Sequence, residues 1–172
     1  MQEILEGKRI LIVDDEPDIL DLLKELLDMC IVDTAPNFEA AQKFLKRGSY
    51  DAAILDIMGV KGFDLLELTK EKNIPSLMLT AHALSPDNLV KSLMKGAKSY
   101  VPKDQMADIA TYLAEIIQAP KKGVRKPKKW LERLAPFFEK KFGPDWKAEH
   151  KEFWAEYDRM KPVTKEEAED ML

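Results

Sequence analysis

Short apolar runs alternate with segments of helical periodicity along residues 1–119, and no other feature constrains the fold as strongly. In each segment the apolar residues recur every three or four positions, which is the spacing of one helix face. Such alternation is typical of βαβ units, whose parallel strands are covered by helices on both sides. The sequence therefore predicts a doubly wound α/β fold around a five-stranded parallel sheet.

The bounds of these elements follow from the apolar pattern and from capping residues. The expected strands lie near residues 8–13, 30–35, 51–55, 75–79 and 98–101. The apolar stripe of the first long helix comprises Ile19, Leu22, Leu23, Leu26 and Leu27. Ser85 is expected to cap the fourth helix and Gly96 to end it, and residues 104–118 form the fifth.

Four of the five predicted strands end in a polar side chain. The first strand runs into Asp14 and Asp15 within "ILIVDDEP", and three others end in Asp56, Thr80 and Lys103. Each residue alone has an ordinary structural explanation, such as a helix cap or a turn hydroxyl. Because ligands of doubly wound folds bind beyond the carboxyl ends of the strands, we expect these side chains to converge on one site.

The residue types at this edge indicate a particular chemistry. Three carboxylates and one lysine suit a hard divalent cation such as Mg²⁺, which favours carboxylate, water and phosphate oxygens. A phosphoryl group on Asp56 would complete the shell, with Lys103 and Thr80 binding its remaining oxygens. The sequence has no histidine and cysteine cluster with zinc spacing and no glycine-rich phosphate loop.

Residues 8–118 resemble the receiver domain of two-component response regulators. The matching stretches are "ILIVDDEP", "AAILDIM", "IPSLMLTA" and "GAKSYVPKD", in the order of that family. The resemblance implies a flavodoxin-like fold in which Asp56 accepts a phosphoryl group from a histidine kinase or a histidine phosphotransfer protein. It also implies a switch that acts on a downstream protein and catalyses only its own phosphorylation and dephosphorylation.

The resemblance assigns roles to the other residues of the edge. Asp15 would coordinate Mg²⁺ directly and Asp14 through water. Thr80 and Lys103 would bind the phosphoryl oxygens, and Ala81 would leave room for them.

Four further positions take roles from the same resemblance. Asp56 and the backbone carbonyl of Met58 would complete the protein ligands of the metal. Tyr100 would be an aromatic switch residue, together with Thr80. His82 and Met58 lie where the family tunes the rate of phosphoryl loss, although an exposed loop histidine is an equally good interpretation of His82.

The sequence departs from the family pattern at two loops. In "DIMGVKG", Gly59 and Gly62 come early, which shortens the loop after Asp56. Asp104 follows Lys103 where the family usually has a cis proline. Since a non-proline cis bond costs about 2.5–4 kcal/mol, we expect a trans peptide there.

The charge of the chain divides into two parts of opposite sign. Residues 1–119 hold 13 basic and 20 acidic residues, whereas residues 120–172 hold 14 basic and 11 acidic ones. The interpretation is a receiver at 1–119, a basic linker at 120–129 that contains all of "KKGVRKPKK", and a helical tail at 130–172. Opposite charges favour docking of the tail on the receiver, or a separate acidic partner.

The tail is rich in aromatic residues and is punctuated by prolines. We expect helices near 128–134, 136–142 and 144–160, with a capping box formed by Thr164 and Glu167. The apolar stripe of the longest helix comprises Trp146, His150, Phe153, Tyr157 and Met160. This stripe would cover the receiver, or form a homodimer or partner interface.

Three other functions are alternatives to a phosphorylation switch. An aspartate-nucleophile phosphohydrolase needs a second acid two residues after its nucleophile, where this chain has Met58. Nucleic acid binding would be confined to the basic linker, because the long tail helix is rich in acids. The full set of Asp15, Asp56, Thr80 and Lys103 argues against a degenerate receiver that only binds partners.

The sequence favours a cytoplasmic protein without membrane insertion. No apolar run approaches the roughly 18 residues that span a bilayer, and the acidic "MQEILEGK" is unlike a secretory signal. The single cysteine, Cys30, rules out an internal disulfide and is expected to be a small core residue.

Overall fold

A five-stranded parallel sheet forms the centre of the molecule. The computed structural model describes residues 2–118 and 129–159. The strands are β1 (Arg9–Val13), β2 (Ile31–Ala35), β3 (Ala52–Asp56), β4 (Ser76–Thr80) and β5 (Ser99–Pro102). Their order in the sheet is β2-β1-β3-β4-β5, so the strand order reverses beside β1. This reversal places a ligand-binding crevice beyond the ends of β1 and β3.

Helices connect the strands and continue beyond the sheet. They are α1 (Gln2–Leu5), α2 (Pro17–Leu26), α3 (Phe38–Arg47), α4 (Gly62–Glu71), α5 (Pro86–Met94), α6 (Ile109–Gln118), α7 (Lys129–Phe142) and α8 (Lys151–Arg159). Short 3₁₀ segments occupy Lys103–Asp108 and Ala148–His150. No helix in these described ranges is long and apolar enough to cross a membrane.

The predicted fold class and the five predicted strands are confirmed. Every strand boundary lies within one residue of the expected one, and all residues of β3 and β4 are buried. Both faces of these strands are covered, which is why they read as continuous apolar runs. The cap at Ser85 is confirmed, because its Oγ accepts a hydrogen bond from the backbone N–H of Asn88 at 3.0 Å.

Three local predictions inside residues 2–118 were wrong. In α2, Leu20 is buried and Leu22 is 37% exposed, because the face toward the sheet follows Leu20, Leu23 and Leu27. The predicted fifth helix begins as a 3₁₀ segment, and α6 starts only at Ile109. Cys30 is half-buried rather than a full core residue, and its Sγ donates a hydrogen bond to the carbonyl of Leu5.

The helical tail also differs from its prediction. The expected break at Pro136 is absent, and α7 runs through this exposed proline from Lys129 to Phe142. An interior proline costs a helix about 3 kcal/mol. Burial of four side chains on one face offsets this cost at about 1.5–3 kcal/mol each. These residues are Trp130, Leu131, Leu134 and Phe138.

The last predicted helix is shorter than expected. It comprises a turn, the 3₁₀ segment and α8, instead of one helix over 144–160. Trp146 and Tyr157 of the expected stripe are buried, and His150 and Phe153 are half-buried. Met160, the capping box at Thr164 and Glu167, and all of the predicted linker except Lys129 lie outside the described residues.

Candidate functional site: an acidic cluster at the sheet edge

The structure brings Asp14, Asp15 and Asp56 together at the edge that the sequence predicts. Asp14 and Asp15 follow β1, Asp56 ends β3, and Val13 pairs with Leu55 in the sheet. Carboxylate oxygens of the three residues lie within 4.8 Å of one another. Asp14 is 1% exposed and Asp56 is 5% exposed, whereas Asp15 faces solvent. The cluster is therefore largely buried and opens to water on the Asp15 side.

Lys103 is the cation of the cluster. Its Nζ lies 2.9 Å from Asp14 Oδ2, 3.5 Å from Asp56 Oδ2 and 3.4 Å from Glu16 Oε2. The side chain reaches this position because Pro102, the last residue of β5, pairs with Thr80. As expected, the peptide bond between Lys103 and Asp104 is trans.

Glu16 also lies at the site, although it was not among the predicted site residues. Its carboxylate contacts Lys103 and also lies 3.6 Å from His82 Nε2. It precedes Pro17, the first residue of α2, but makes no side-chain cap. Asp14 Oδ1 instead accepts a hydrogen bond from the backbone N–H of Glu16 at 2.9 Å. This turn points Asp14 into the cluster and brings Glu16 within reach of the ammonium group.

Burial and like charge set the electrostatics of the cluster. Burial raises the pKa of Asp56 to about 6, the charge of Asp14 adds to the shift, and Lys103 partly opposes it. The pKa of Asp14 is raised mainly by burial. Burial alone would lower the pKa of Lys103, but hydrogen bonding to Asp14 and the charges of Asp56 and Glu16 raise it on balance. The site thus holds more negative charge than one ammonium group neutralises.

The donor set fits a divalent cation that prefers oxygen. Three carboxylates in mutual reach, one of them open to water, match the ligands of Mg²⁺. Gly59 supports this arrangement, since a Cβ there would lie 2.3 Å from Asp15 Oδ2. A Cβ on Gly62 would lie 2.0 Å from the carbonyl oxygen of Asp56. The loop after β3 therefore closes tightly around two of the carboxylates.

Other predicted site residues lie on the loops around the cluster. Met58 has a side chain that is 54% exposed, and coordination through its carbonyl stays a prediction. Ala81 and His82 are exposed residues of the loop after β4. The thioether of Met58 cannot act as the second acid that the phosphohydrolase alternative requires at this position.

Thr80 is fully buried at the end of β4 and holds the loop that follows. Its Oγ1 accepts a hydrogen bond from the backbone N–H of Ala83 at 3.2 Å. Ala83 in turn accepts a hydrogen bond from the hydroxyl of Tyr100 at 2.9 Å. Tyr100 is also fully buried, and burial raises its pKa. Ala83 was not among the predicted site residues, because an alanine that acts through its backbone has no distinctive side chain in the sequence.

The family model of the response regulator receiver domain matches residues 10–114, which contain the whole cluster. The chain belongs to the response regulator receiver family. The heme response regulator HssR of Staphylococcus aureus is 38% identical over 98 residues, which are 54% of this chain and 43% of HssR. The two-component response regulator ARR18 of Arabidopsis thaliana is 36% identical over 103 residues, which are 56% of this chain and 16% of ARR18. The chain thus spans less than half the length of these relatives.

Solved receiver structures have the same fold. The response regulator TrrA of Thermotoga maritima, in complex with Mg²⁺ and beryllium fluoride, is 39% identical, with a TM-score of 0.52 over 62% of this chain and 98% of TrrA. A CheY-like receiver of Methanospirillum hungatei is 31% identical, with a TM-score of 0.55 over 64% of this chain and 96% of that chain. The helices α7 and α8 lie outside the residues that the receiver model matches.

Proposed function

We propose that the receiver accepts a phosphoryl group on Asp56 from a phosphorylated histidine of a kinase or a phosphotransfer protein. A bond forms between a carboxylate oxygen of Asp56 and phosphorus, while the bond from phosphorus to the donor nitrogen breaks. The observation that carries the proposal is the buried Lys103 ammonium, which lies within 3.5 Å of both Asp14 and Asp56. Such a group stabilises the charge that develops on phosphoryl oxygens during transfer.

The other residues at the edge complete the proposed reaction. Asp14, Asp15, Asp56 and the carbonyl of Met58 would hold Mg²⁺, which when bound neutralises charge on the transferred group. The hydroxyl of Thr80 can donate its proton to a phosphoryl oxygen. Ala81 and His82 are both exposed; Ala81 would leave room for the phosphoryl oxygens, and His82 would tune the rate of phosphoryl loss.

Intact-mass analysis tests the proposal. The chain is treated with a small phosphodonor and Mg²⁺, in parallel with Asp56→Asn and with a sample that contains a chelator. We expect one base-labile phosphoryl group on the native chain, none on Asp56→Asn and little without Mg²⁺. Equal labelling of the native chain and Asp56→Asn would overturn the assignment of Asp56.

The output of the switch is proposed to be a contact with a downstream protein in the cytoplasm. This proposal rests on the family to which the chain belongs. A homodimer through the tail stays a prediction, and light scattering before and after phosphorylation measures it. Nucleic acid binding by the basic linker would appear as affinity that falls steeply with added salt.

A further inference from the structure

A second group of metal-binding side chains lies where the tail meets the receiver. It comprises Asp87 in the first turn of α5, and Glu149 and His150 in the 3₁₀ segment before α8. One ligand atom from each residue lies within 4.8 Å of the other two, and His150 Nε2 is 2.7 Å from Asp87 Oδ1. These three residues are called the junction cluster, because one belongs to the receiver and two belong to the tail.

Buried aromatic residues hold the segment that carries Glu149 and His150. Trp146 precedes the segment and Trp154 follows it, and their buried rings pack edge to face with 5.3 Å between centroids. Within the segment, the backbone N–H of His150 donates a hydrogen bond to the carbonyl of Lys147 at 3.1 Å. The ligands of the junction cluster therefore lie on ordered backbone, which is the arrangement that favours a metal site.

The tail rests on the receiver through contacts outside the junction cluster. The ring of Phe138 in α7 packs against the ring of Tyr100 in β5, with 6.2 Å between centroids, and both rings are completely buried. Arg133 of α7 also forms an ion pair with Glu115 of α6. The three side chains of the junction cluster are thus brought together by packing, before any ion binds them.

The junction cluster carries more negative than positive charge. It contains two carboxylates and one imidazole, and within residues 2–118 and 129–159 no lysine or arginine forms an ion pair with Asp87 or Glu149. Neighbouring carboxylates repel each other, and a divalent cation would neutralise both. The side chain of Asp87 is 74% exposed and that of His150 is 28% exposed, so an ion can enter from solvent.

We propose that the junction cluster binds a Zn²⁺ ion that fastens the tail to the receiver. Imidazole nitrogen and carboxylate oxygen are Zn²⁺ ligands at about 2.0–2.2 Å, and three protein ligands leave a fourth position for water. Imidazole selects Zn²⁺ over Mg²⁺ and Ca²⁺, which prefer oxygen ligands alone. The proposal does not depend on phosphorylation of Asp56.

The geometry needs little adjustment to accept the ion. Ligand atoms around tetrahedral Zn²⁺ lie about 3.3 Å apart, so His150 Nε2 and Asp87 Oδ1 must separate by roughly 0.6 Å. The imidazole binds metal through a deprotonated nitrogen, so a proton on Nε2 is released on binding. Because the three ligands meet only when the tail is docked, the ion stabilises the docked state.

Titration calorimetry of the full chain with Zn²⁺ tests the site, with excess Mg²⁺ present to compete for the carboxylates at the sheet edge. We expect one Zn²⁺ per chain, and an affinity about tenfold lower or less in His150→Ala, Asp87→Asn and Glu149→Gln. His82→Ala is the matched control, because His82 is the only other histidine of the chain and should not affect binding. Equal affinity in the native chain and His150→Ala, or loss of binding in His82→Ala, would overturn the proposal.

Two further measurements separate a metal site from an ion pair between His150 and Asp87. In NMR spectra of the two imidazole rings, Zn²⁺ should shift the signals of His150 and leave those of His82 in place. All three tryptophans, Trp130, Trp146 and Trp154, lie in the tail and report its unfolding by fluorescence. Zn²⁺ should raise the unfolding midpoint of the native chain but not that of His150→Ala. An ion pair alone predicts that Zn²⁺ changes neither measurement, and binding without a higher midpoint would show that the ion does not fasten the tail.

Discussion

Lys103 is the residue on which the charge balance of the site depends. Its side chain is 8% exposed and lies among three carboxylates, two of which are also buried. Removing one partner of such a group leaves uncompensated buried charge, and this is more costly than losing a surface ion pair. The stability of the receiver should therefore respond strongly to this one side chain.

We expect Lys103→Met to lower the free energy of unfolding by about 3–5 kcal/mol at pH 7.5 without metal. Added Mg²⁺ should recover part of the loss, because it neutralises the same carboxylates. Urea denaturation with and without Mg²⁺ measures both effects. Lys95→Met is the matched control, since Lys95 pairs with the exposed Glu67 at 2.9 Å and should change stability little. Equal losses in the two variants would contradict the role of Lys103.

Asp56 should make the metal-free protein less stable as pH rises. Its pKa is raised to about 6 when folded, so the folded state holds a proton that the unfolded state releases near pH 4. Its favourable contribution is thus complete below pH 4 and is lost as pH rises through about 6. We expect Asp56→Asn to be more stable than the native chain at pH 7.5 by about 1–3 kcal/mol, with the difference vanishing near pH 4. Thermal unfolding in the presence of a chelator across this pH range measures the difference in stability between the two proteins. A difference that does not change with pH would refute the raised pKa of Asp56.

Among the elements, the loop between β3 and α4 shows how a short connection controls the site. Gly59 has a φ of +82°, and a Cβ at this position would meet the carboxylate of Asp15. The backbone of this loop approaches Asp15 at Gly59 and Asp56 at Gly62. Glycine is required here for space as well as for conformation.

Substitution of this glycine separates the two requirements. We expect Gly59→Ala to displace Asp15 and to lower Mg²⁺ affinity at least about tenfold, as for loss of a ligand's support. Gly7→Ala is the control, because Gly7 has a φ of +71° with nothing within 4 Å of an added Cβ. Gly7→Ala should cost a little stability through strain and leave Mg²⁺ affinity unchanged. Titration calorimetry with Mg²⁺ distinguishes the variants, and equal affinities would show that Gly59 does not support the metal site.

Helix α7 forms although it contains a proline, a residue that locally disfavours a helix. Pro136 interrupts the backbone hydrogen bonds of the helix, yet packing of one face keeps the helix continuous. Because Pro136 is exposed, Pro136→Ala should leave the core unchanged and raise the free energy of unfolding by up to about 3 kcal/mol. Urea denaturation followed by tryptophan fluorescence measures this gain. A less stable variant would mean that the proline itself makes a needed contact.

At the scale of the whole molecule, the receiver and the tail share one hydrophobic core. Trp130, Phe138 and Trp154 of the tail belong to the same buried cluster as the sheet residues. Burial raises the pKa of Tyr157 in α8 to about 12, and a hydrogen bond from Trp130 only partly opposes this shift. The pKa values of Tyr50, Tyr100 and Tyr112 in the receiver are also raised by burial.

Burial of all four tyrosines in or beside this shared core predicts how they titrate. Their folded pKa values exceed the unfolded value near 10, so their contribution to stability is complete below pH 10 and lost above it. We expect little tyrosinate absorbance at pH 10 and a cooperative rise at higher pH that coincides with unfolding by circular dichroism. Tyr157→Phe should keep this behaviour with smaller amplitude. If one tyrosine instead titrates near pH 10, and this titration disappears in Tyr157→Phe, the tail does not stay docked on the receiver.

The sequence by itself determined the sheet, its five strands and the residues that end them. Apolar runs and helical periods report which backbone segments are buried on two faces or on one, and this information is local. The convergence of Asp14, Asp56 and Lys103 followed because parallel strands end at a common edge. The same reasoning placed the cap at Ser85 and the trans peptide after Lys103.

Only the tertiary structure decided that Glu16 joins the site, that α7 continues through Pro136 and that Phe138 lies on Tyr100. Each of these depends on free energy from residues distant in the chain: a buried ammonium group, a shared apolar core and a loop held by the carbonyl of Ala83. Such contributions of several kcal/mol can exceed local preferences, which are typically about 1 kcal/mol per residue and at most about 3 for proline. Local sequence patterns record the preferences but not the contacts that override them.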